Sequence, residues 1–275
     1  DTSTKARQPM ISNCDRYTLS FNGEIYNYQT IKNELINKGY IFNSDSDTEV
    51  LLNGYKEFKV DLLDKLDGIF SFVIYDKTKD EVFFARDHFG IKPLYYLYNN
   101  NELTICSETR PFNDISSIDN KSKILFLSHG YIPSPYTIFN DVFSLSPGSY
   151  AVLSNNQLTI KKYYNIEDSF DSGKEGVKIG TIKKAVKKQL ISDAKLGCFL
   201  SGGVDSSILA YESNMINKNI SSYSINFQDM PDEKIYQESL IKKYKLNNST
   251  VNLDFVDFKK YLSLFLASMD MPTID

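Results

Sequence analysis

The amino-acid sequence predicts an α+β sandwich followed by a doubly wound, parallel α/β sheet. Up to residue 108, β-rich runs come in closely spaced pairs, with two helical stretches among them. Beyond residue 176 the order becomes helix, strand, glycine-rich loop, helix, strand, helix, the alternation of parallel sheets. Between the two lies SFDSGKEG (169–176), small and polar, which reads as a linker. The expected domains are therefore 1–168 and 169–275.

In chain order, RYTLSF (16–21) and EIYNY (24–28) flank Asn22-Gly23, and an Asn-Gly pair between β-rich runs predicts a hairpin. Tyr28, Ile31 and Leu35 recur at helical spacing, and Lys38-Gly39 reads as that helix's stop. Ser46 and Glu49 have capping-box spacing before Val50, Leu51 and Tyr55, which predicts a second helix. GIFSFVIYD (68–76) and EVFFARD (81–87) are two strands joined by the polar turn KTKD; LYYLYNN (94–100) and ELTICSE (102–108) form another pair. Residues 112–165, with Pro133, Pro135 and Pro147-Gly148, read as strand-poor and turn-rich. Ile179, Ile182, Val186 and Leu190 then share a helical face, with Lys183, Lys184, Lys187 and Lys188 on the solvated side. GCFL (197–200) is a buried-type strand, and a helix follows over about 206–215. SSYSINF (221–227) is a second strand, with a helix near 233–245.

Composition narrows the function classes. Of the 275 residues, 41% are hydrophobic and 24% charged, as in a globular protein with a real core. A net charge of −4 leaves no electrostatic footprint for nucleic acid. No apolar run approaches the roughly 18 residues that span a bilayer, and no leader is visible at Asp1. The three cysteines, Cys14, Cys106 and Cys198, are widely spaced and odd in number, a poor disulfide or zinc framework. The expected compartment is a reducing cytoplasm. With only His88 and His129, a histidine dyad or metal cluster is disfavoured.

The loop Ser201-Gly202-Gly203-Val204-Asp205-Ser206-Ser207 carries the most chemistry. It follows an apolar strand and opens a helix. Two glycines let backbone approach an anion, and free N–H groups at a helix start favour a polyphosphate. Three serines add hydroxyl donors. There is no Walker lysine, so this is not the usual P-loop. Asp205 alone would repel phosphate, so a bridging Mg²⁺ is the expected reason for it. Read blandly, the segment is a strand-to-helix turn with Asp205 or Ser206 as N-cap. The full string resembles the pyrophosphate loop of the N-type ATP pyrophosphatases.

A second resemblance decides among the enzymes that share such a loop. FNGEIYNY (21–28), SDSDTEV (44–50), LDGIFSFVIYD (66–76), ARDHFGIKPLYY (85–96) and Ser107-Glu108 together resemble the glutaminase domain of the glutamine-hydrolysing asparagine synthetases. That is a class II amidotransferase domain with the N-terminal-nucleophile hydrolase fold. SYSINF and the closing Asp270-Met271-Pro272-Thr273-Ile274-Asp275 also resemble that family. The resemblance implies that Asn22 and Gly23 form an oxyanion hole, and that Asn22, Gly23, Glu24 and Asp47 bind glutamine, Asp47 through its α-amino group. It implies ATP or pyrophosphate contacts at Leu200, Ser201, Gly202, Gly203, Val204, Asp205, Ser206, Ser207 and Ile225, with Mg²⁺ on Asp205. Read alone, Asp47 is a first-turn helix acid, and Leu200 and Ile225 are core residues. Arg86, Asp87, His88, His129 and the three cysteines read as structural.

The family's glutaminase nucleophile is a cysteine at the mature N-terminus, activated by its own α-amino group of pKa about 7.7–8.0. Residue 1 here is Asp and Cys14 is internal, so the nucleophile is not carried onto this chain. The expectation is a piece of a longer enzyme, inactive by itself as a glutaminase. The whole enzyme would take glutamine, ATP and aspartate, with oligomeric state open, a homodimer included. Other carboxylate acceptors stay open, sugar acids or a β-lactam precursor among them, as does a non-catalytic glutamine- or nucleotide-binding module. A sulfur-transferring tRNA enzyme with this loop would need catalytic cysteines in its second part, where Cys198 sits in the strand before the loop.

Overall fold

The computed structural model describes residues 4–168, 179–227 and 231–274. They fall into two compact units, the first holding residues 4–168 and 269–274, the second the remainder. The proposed linker 169–176 lies outside the described residues.

The first unit opens with β1 (Met10–Ile11) and β2 (Tyr17–Ile25), then α1 (Tyr28–Asn37) and α2 (Asp47–Phe58). Next come β3 (Gly68–Asp76), β4 (Glu81–Arg86), β5 (Tyr95–Asn99) and β6 (Glu102–Cys106), then α3 (Asn120–His129), β7 (Val142–Ser144), β8 (Ser149–Ser154) and β9 (Gln157–Lys162). Two antiparallel sheets result, a larger one ordered β1-β2-β3-β4-β8-β9 and a smaller one ordered β6-β5-β7.

Strand alternation sets the layers. Leu19, Ile25, Phe70, Phe72, Ile74 and Phe83 project from one face of the larger sheet onto Ile31, Leu35, Val50, Leu51 and Tyr55 of α1 and α2. Its other face, through Val73, Phe84 and Ala151, packs on Tyr96 and Ile105 of the smaller sheet and on Leu94 just before β5. The far side of that sheet, with Tyr95 and Val142, is covered by Phe112, Phe139 and Met271. Helices, sheet and second sheet thus form the layered α+β sandwich that the sequence predicts.

Three local expectations are corrected. Asn22-Gly23 is not a hairpin: β2 runs unbroken through it, paired residue for residue with β3. Gly23 has φ +151°, and a Cβ there would lie 2.1 Å from the Ile69 carbonyl oxygen. The glycine serves close approach of two strands rather than a turn. The capping box is half formed. Ser46 accepts from the Thr48 amide, but the Glu49 carboxylate turns to the amides of Asn43 and Ser44 and the Ser44 hydroxyl. Finally, residues 112–165 are not strand-poor, for they hold β7, β8 and β9 besides the helix α3. The β8–β9 hairpin turns on Asn155-Asn156, both at positive φ, as a two-residue type I′ turn requires.

The second unit contains α4 (Ile179–Gln189), β10 (Gly197–Phe199), α5 (Val204–Ile216), β11 (Ser221–Phe227), α6 (Pro231–Tyr244), β12 (Asn247–Leu253) and α7 (Phe255–Ser268). Its strands are parallel, in the order β10-β11-β12. A small core of Leu200, Ala210 and Leu246, with Leu240, Ile241 and Tyr244, packs α5 and α6 on one face of the sheet. The other face presents Phe199, Tyr223, Ile225, Phe227 and Val251, all exposed. The helix-covered face of β11 carries the buried polar residues Ser222, Ser224 and Asn226, so the apolar side chains of this strand lie on its uncovered face.

The closing segment returns to the first unit. The Thr109 amide donates to Asp270 Oδ1 at 2.9 Å and its hydroxyl to the Asp270 carbonyl at 2.6 Å. Ile274 donates its amide to the Gly130 carbonyl.

Candidate active sites

The first unit gathers its predicted residues at one end of the β2–β3 pair. Asn22, Gly23 and Glu24 stand opposite Ser71, Phe70 and Ile69, and Ile25 opposite Gly68. Gly68 has the same role as Gly23, since a Cβ there would meet the Glu24 carbonyl at 2.3 Å. Two glycines on facing strands thus hold the backbone of residues 22–25 tightly against β3. Asn27 locks the end of the pair, its Nδ2 donating to the Lys65 carbonyl and its Oδ1 accepting from the Asp67 amide.

Asp47, the first residue of α2, arrives at this place from 22 residues further along the chain; its Oδ2 accepts from the Ile25 amide at 3.1 Å. Glu49, bound to the 43–44 backbone, shapes the loop that delivers it. Burial holds the Asp47 carboxyl above its ordinary range, the Ile25 hydrogen bond opposing in part. A carboxylate stripped of water and short of counter-charge is suited to receive an ammonium group.

Asn22 also lines a cavity of about 150 Å³ between the two sheets, with Gln8, Ser20, Ser71, Cys106 and Ser107. Cys106 is no ready nucleophile there, because burial pushes its thiol up, away from thiolate. Arg86 and Asp87 are structural. The guanidinium donates to the carbonyls of Lys92, Gly90 and Leu145, and the carboxylate accepts from the amides of Phe70, Phe89, Ile91 and Lys92. His88 lies among the rings of Phe70, Tyr163 and Tyr164.

In the second unit the seven-residue loop connects β10 to α5. Gly202 sits at φ +88°, and a Cβ there would lie 2.8 Å from the Glu233 carbonyl oxygen in α6. Val204, Asp205 and Ser206 open α5, so their amides have no intrahelical partner. The serine hydroxyls are engaged inside the loop. Ser206 Oγ and Ser207 Oγ both donate to the Gly203 carbonyl, and Ser201 Oγ bonds Ser206 Oγ at 2.9 Å. The hydroxyls therefore set the loop's shape, with the Ser201 and Gly203 amides also donating to them. Leu200 is 1% exposed and belongs to the core, its backbone tied to β11 through Tyr223 and Ser224. Ile225 is 48% exposed on the bare face of the sheet. Asp205 is exposed in the first turn of α5. Among the described residues no three His, Cys, Asp or Glu side chains cluster as a metal cage. Also among them, no helix is long and apolar enough to cross a membrane.

Comparison with known proteins decides the family. Residues 1–164 match the glutamine amidotransferase domain family, and residues 180–275 match the asparagine synthase family. The chain belongs to the glutamine amidotransferase domain family, joined to an asparagine synthase region. A Bacillus subtilis protein named asparagine synthetase (glutamine-hydrolysing) 1 is 35% identical over 80% of this chain and 36% of its own length. Its paralogue 3 is 34% identical over 85% and 40%. A relative in Methanocaldococcus jannaschii is 30% identical over 99% of this chain and 58% of its own. The chain therefore spans roughly a third to three-fifths of these relatives.

Two residues around the sites escaped the sequence reading. Gln237 is 1% exposed and donates from Nε2 to the Ser201 carbonyl at 3.2 Å, fixing the loop from α6. It lies in helical register with Leu240, Ile241 and Tyr244, the buried stripe of α6. A glutamine on an apolar stripe needs a buried partner, and that pattern could have flagged it. Ser71 is the other, hidden in the apolar-looking run GIFSFVIYD.

Proposed function

We propose that the whole protein is a glutamine-dependent amidotransferase that makes asparagine. One site hydrolyses glutamine: glutamine and water give glutamate and ammonia. Asn22 and Gly23 donate to the oxyanion of the tetrahedral intermediate, and Asp47, with Glu24 in the same segment, takes the substrate's α-ammonium end. In the other site the β-carboxyl of aspartate attacks the α-phosphate of ATP, giving the acyl-adenylate and pyrophosphate. Ammonia then displaces AMP to form the amide.

The loop 201–207 holds the phosphates through the amides at the start of α5, with Ile225 and the exposed face of β11 offering an apolar surface to the base. Asp205 would hold Mg²⁺ at this site, and the ion would supply positive charge against the polyphosphate. A single exposed carboxylate, Asp205, beside phosphate oxygens is a usual protein contribution to a magnesium–nucleotide complex, and no protein cage is needed.

One observation carries the reading. A nucleotide-type loop and an Asn22–Gly23–Glu24–Asp47 cluster occur in one chain, each held by its own buried polar supports. The test uses the whole protein. Asp205→Ala should abolish pyrophosphate release and leave glutamate release from glutamine intact; unchanged pyrophosphate release removes Asp205 from the reaction. Offering aspartate and sugar acids in parallel, with AMP release as the readout, tests the acceptor. AMP release with a sugar acid and none with aspartate would replace asparagine as the product.

A further inference from the structure

Inner faces of stacked antiparallel sheets are ordinarily apolar. Val73, two residues along β3, obeys this and packs in the core between the sheets. Ser71 does not. Its side chain is 2% exposed, and among the described residues its Oγ has no hydrogen-bond partner. A hydroxyl buried in that state is costly, so a partner outside the described chain is expected. Ser71 also lines the cavity that Asn22 lines, and the two residues are directly paired across β2 and β3. Directly opposed residues project from the same face with Cβ atoms about 4.5–5.5 Å apart.

Asn22 and Ser71 therefore line one cavity from adjacent strands. A carboxamide whose oxygen is held by Asn22 has its nitrogen diverging from the same carbon, toward a neighbouring group. We infer that Ser71 Oγ accepts a hydrogen bond from the carboxamide nitrogen of the substrate, the atom that leaves as ammonia. This rests on the glutaminase reading above and assigns that site its nitrogen-side contact. Ser71 neither gains nor loses a proton. The C–N bond breaks, the nitrogen takes its third proton in the overall addition of water, and the serine orients it throughout. Because an ester shares the carbonyl oxygen and lacks the N–H, Ser71 is the contact that favours an amide over an ester.

The test compares glutamine with glutamate γ-methyl ester, which has no N–H to offer, in the whole protein. Ser71→Ala should lower kcat/KM for glutamine by about three- to tenfold, the range of one neutral hydrogen bond, and leave ester hydrolysis unchanged. Ser71→Cys, nearly isosteric and a weak acceptor, should fall between. Equal losses on both substrates, or no loss on glutamine, overturn the inference and leave a bound water as the partner of Ser71. Wild-type protein that hydrolyses neither substrate would sink the glutaminase reading and this inference with it. A melting curve for each variant reads out folding separately; Ser71→Ala, which removes an unpartnered hydroxyl, should melt no lower than wild type.

Discussion

Gly23→Ala tests whether the β2–β3 close approach is the physical basis of the first site. An added Cβ would sit 2.1 Å from the Ile69 carbonyl oxygen and 2.7 Å from the Phe70 Cα. Both are backbone atoms of a strand fixed on both sides, by β2 and by β4. The strand cannot move aside without disturbing Phe70 and Phe72, which are fully buried. Overpacking of this kind costs about 1–3 kcal/mol. The backbone conformation at φ +151° adds about 1–3 kcal/mol for a residue with a Cβ. The sum, about 4 kcal/mol, is a large part of a typical domain stability of about 5–15 kcal/mol. At about 2–4 °C per kcal/mol for a domain of this size, the first unit should melt roughly 8–16 °C lower. Gly39→Ala is the control. Gly39 also has positive φ, +91°, but nothing lies within 4 Å of the added atom. It should lose only the conformational part, about 1–2 kcal/mol. Calorimetry on the two variants and wild type separates the terms. A Gly23→Ala shift below about 3 °C, or one equal to that of Gly39→Ala, would refute the close-approach reasoning.

Asp47→Asn should raise the melting temperature while weakening glutamine binding. Burial has lifted the folded pKa, so this carboxyl's stabilising share is complete below 3.8 and vanishes as pH climbs past the folded value; neutral pH is where the amide helps. Losing a charge-assisted contact of about 1.5–3 kcal/mol should raise KM for glutamine roughly 10- to 150-fold, and a lowered melting point with unchanged KM would count against the assignment. Gln237→Ala should loosen the nucleotide loop by leaving the Ser201 carbonyl unpartnered, seen as faster amide exchange at 201–207 with no change in glutamate release; equal exchange rates would mean α6 does not position the loop. His88 is held below its ordinary 6.5 by burial, with Asp87, Asp67 and Asp64 opposing. The unfolded chain therefore takes up that proton first, and stability should fall as pH drops below 6.5. Urea midpoints at pH 7 and pH 5 should differ less in His88→Phe than in wild type, and an undiminished difference would clear His88 of the effect.

Much of the architecture was readable because its causes are local. Alternation in 68–76 and 81–87 and helical spacing in 28–35 depend on a few neighbouring residues, and β3, β4 and α1 formed as read. Asn22-Gly23 misled because the hairpin rule is local too, whereas the need for glycine comes from Ile69, 46 residues away in sequence. The β8–β9 hairpin escaped for the opposite reason. Its turn uses Asn155-Asn156 without a glycine, and β9 is largely exposed, so its apolar alternation is faint. The loop 201–207 stood out since its chemistry is contiguous. Ser71, Gln237 and Asp270 act on partners or cavities assembled by the fold, at separations no window along the chain can see.

The two sites share a construction that bears on how substitutions at them should be read. In each, a glycine brings backbone against a neighbouring element: Gly23 against β3, Gly202 against α6. In each, a buried polar side chain stands behind it, Ser71 in one and Gln237 in the other. The loop hydroxyls of Ser206 and Ser207 are committed to the Gly203 carbonyl. On the proposed reading, phosphate binding at that loop would rest on amides that no side-chain substitution removes. Changing a loop serine alters the geometry of those amides, and through it affinity, without deleting a ligand contact. Conversely, Asp205 holds no part of the loop in any hydrogen bond among the described residues, so its loss should leave the loop's shape intact. That difference is why Asp205, and not a serine, can separate nucleotide chemistry from loop folding.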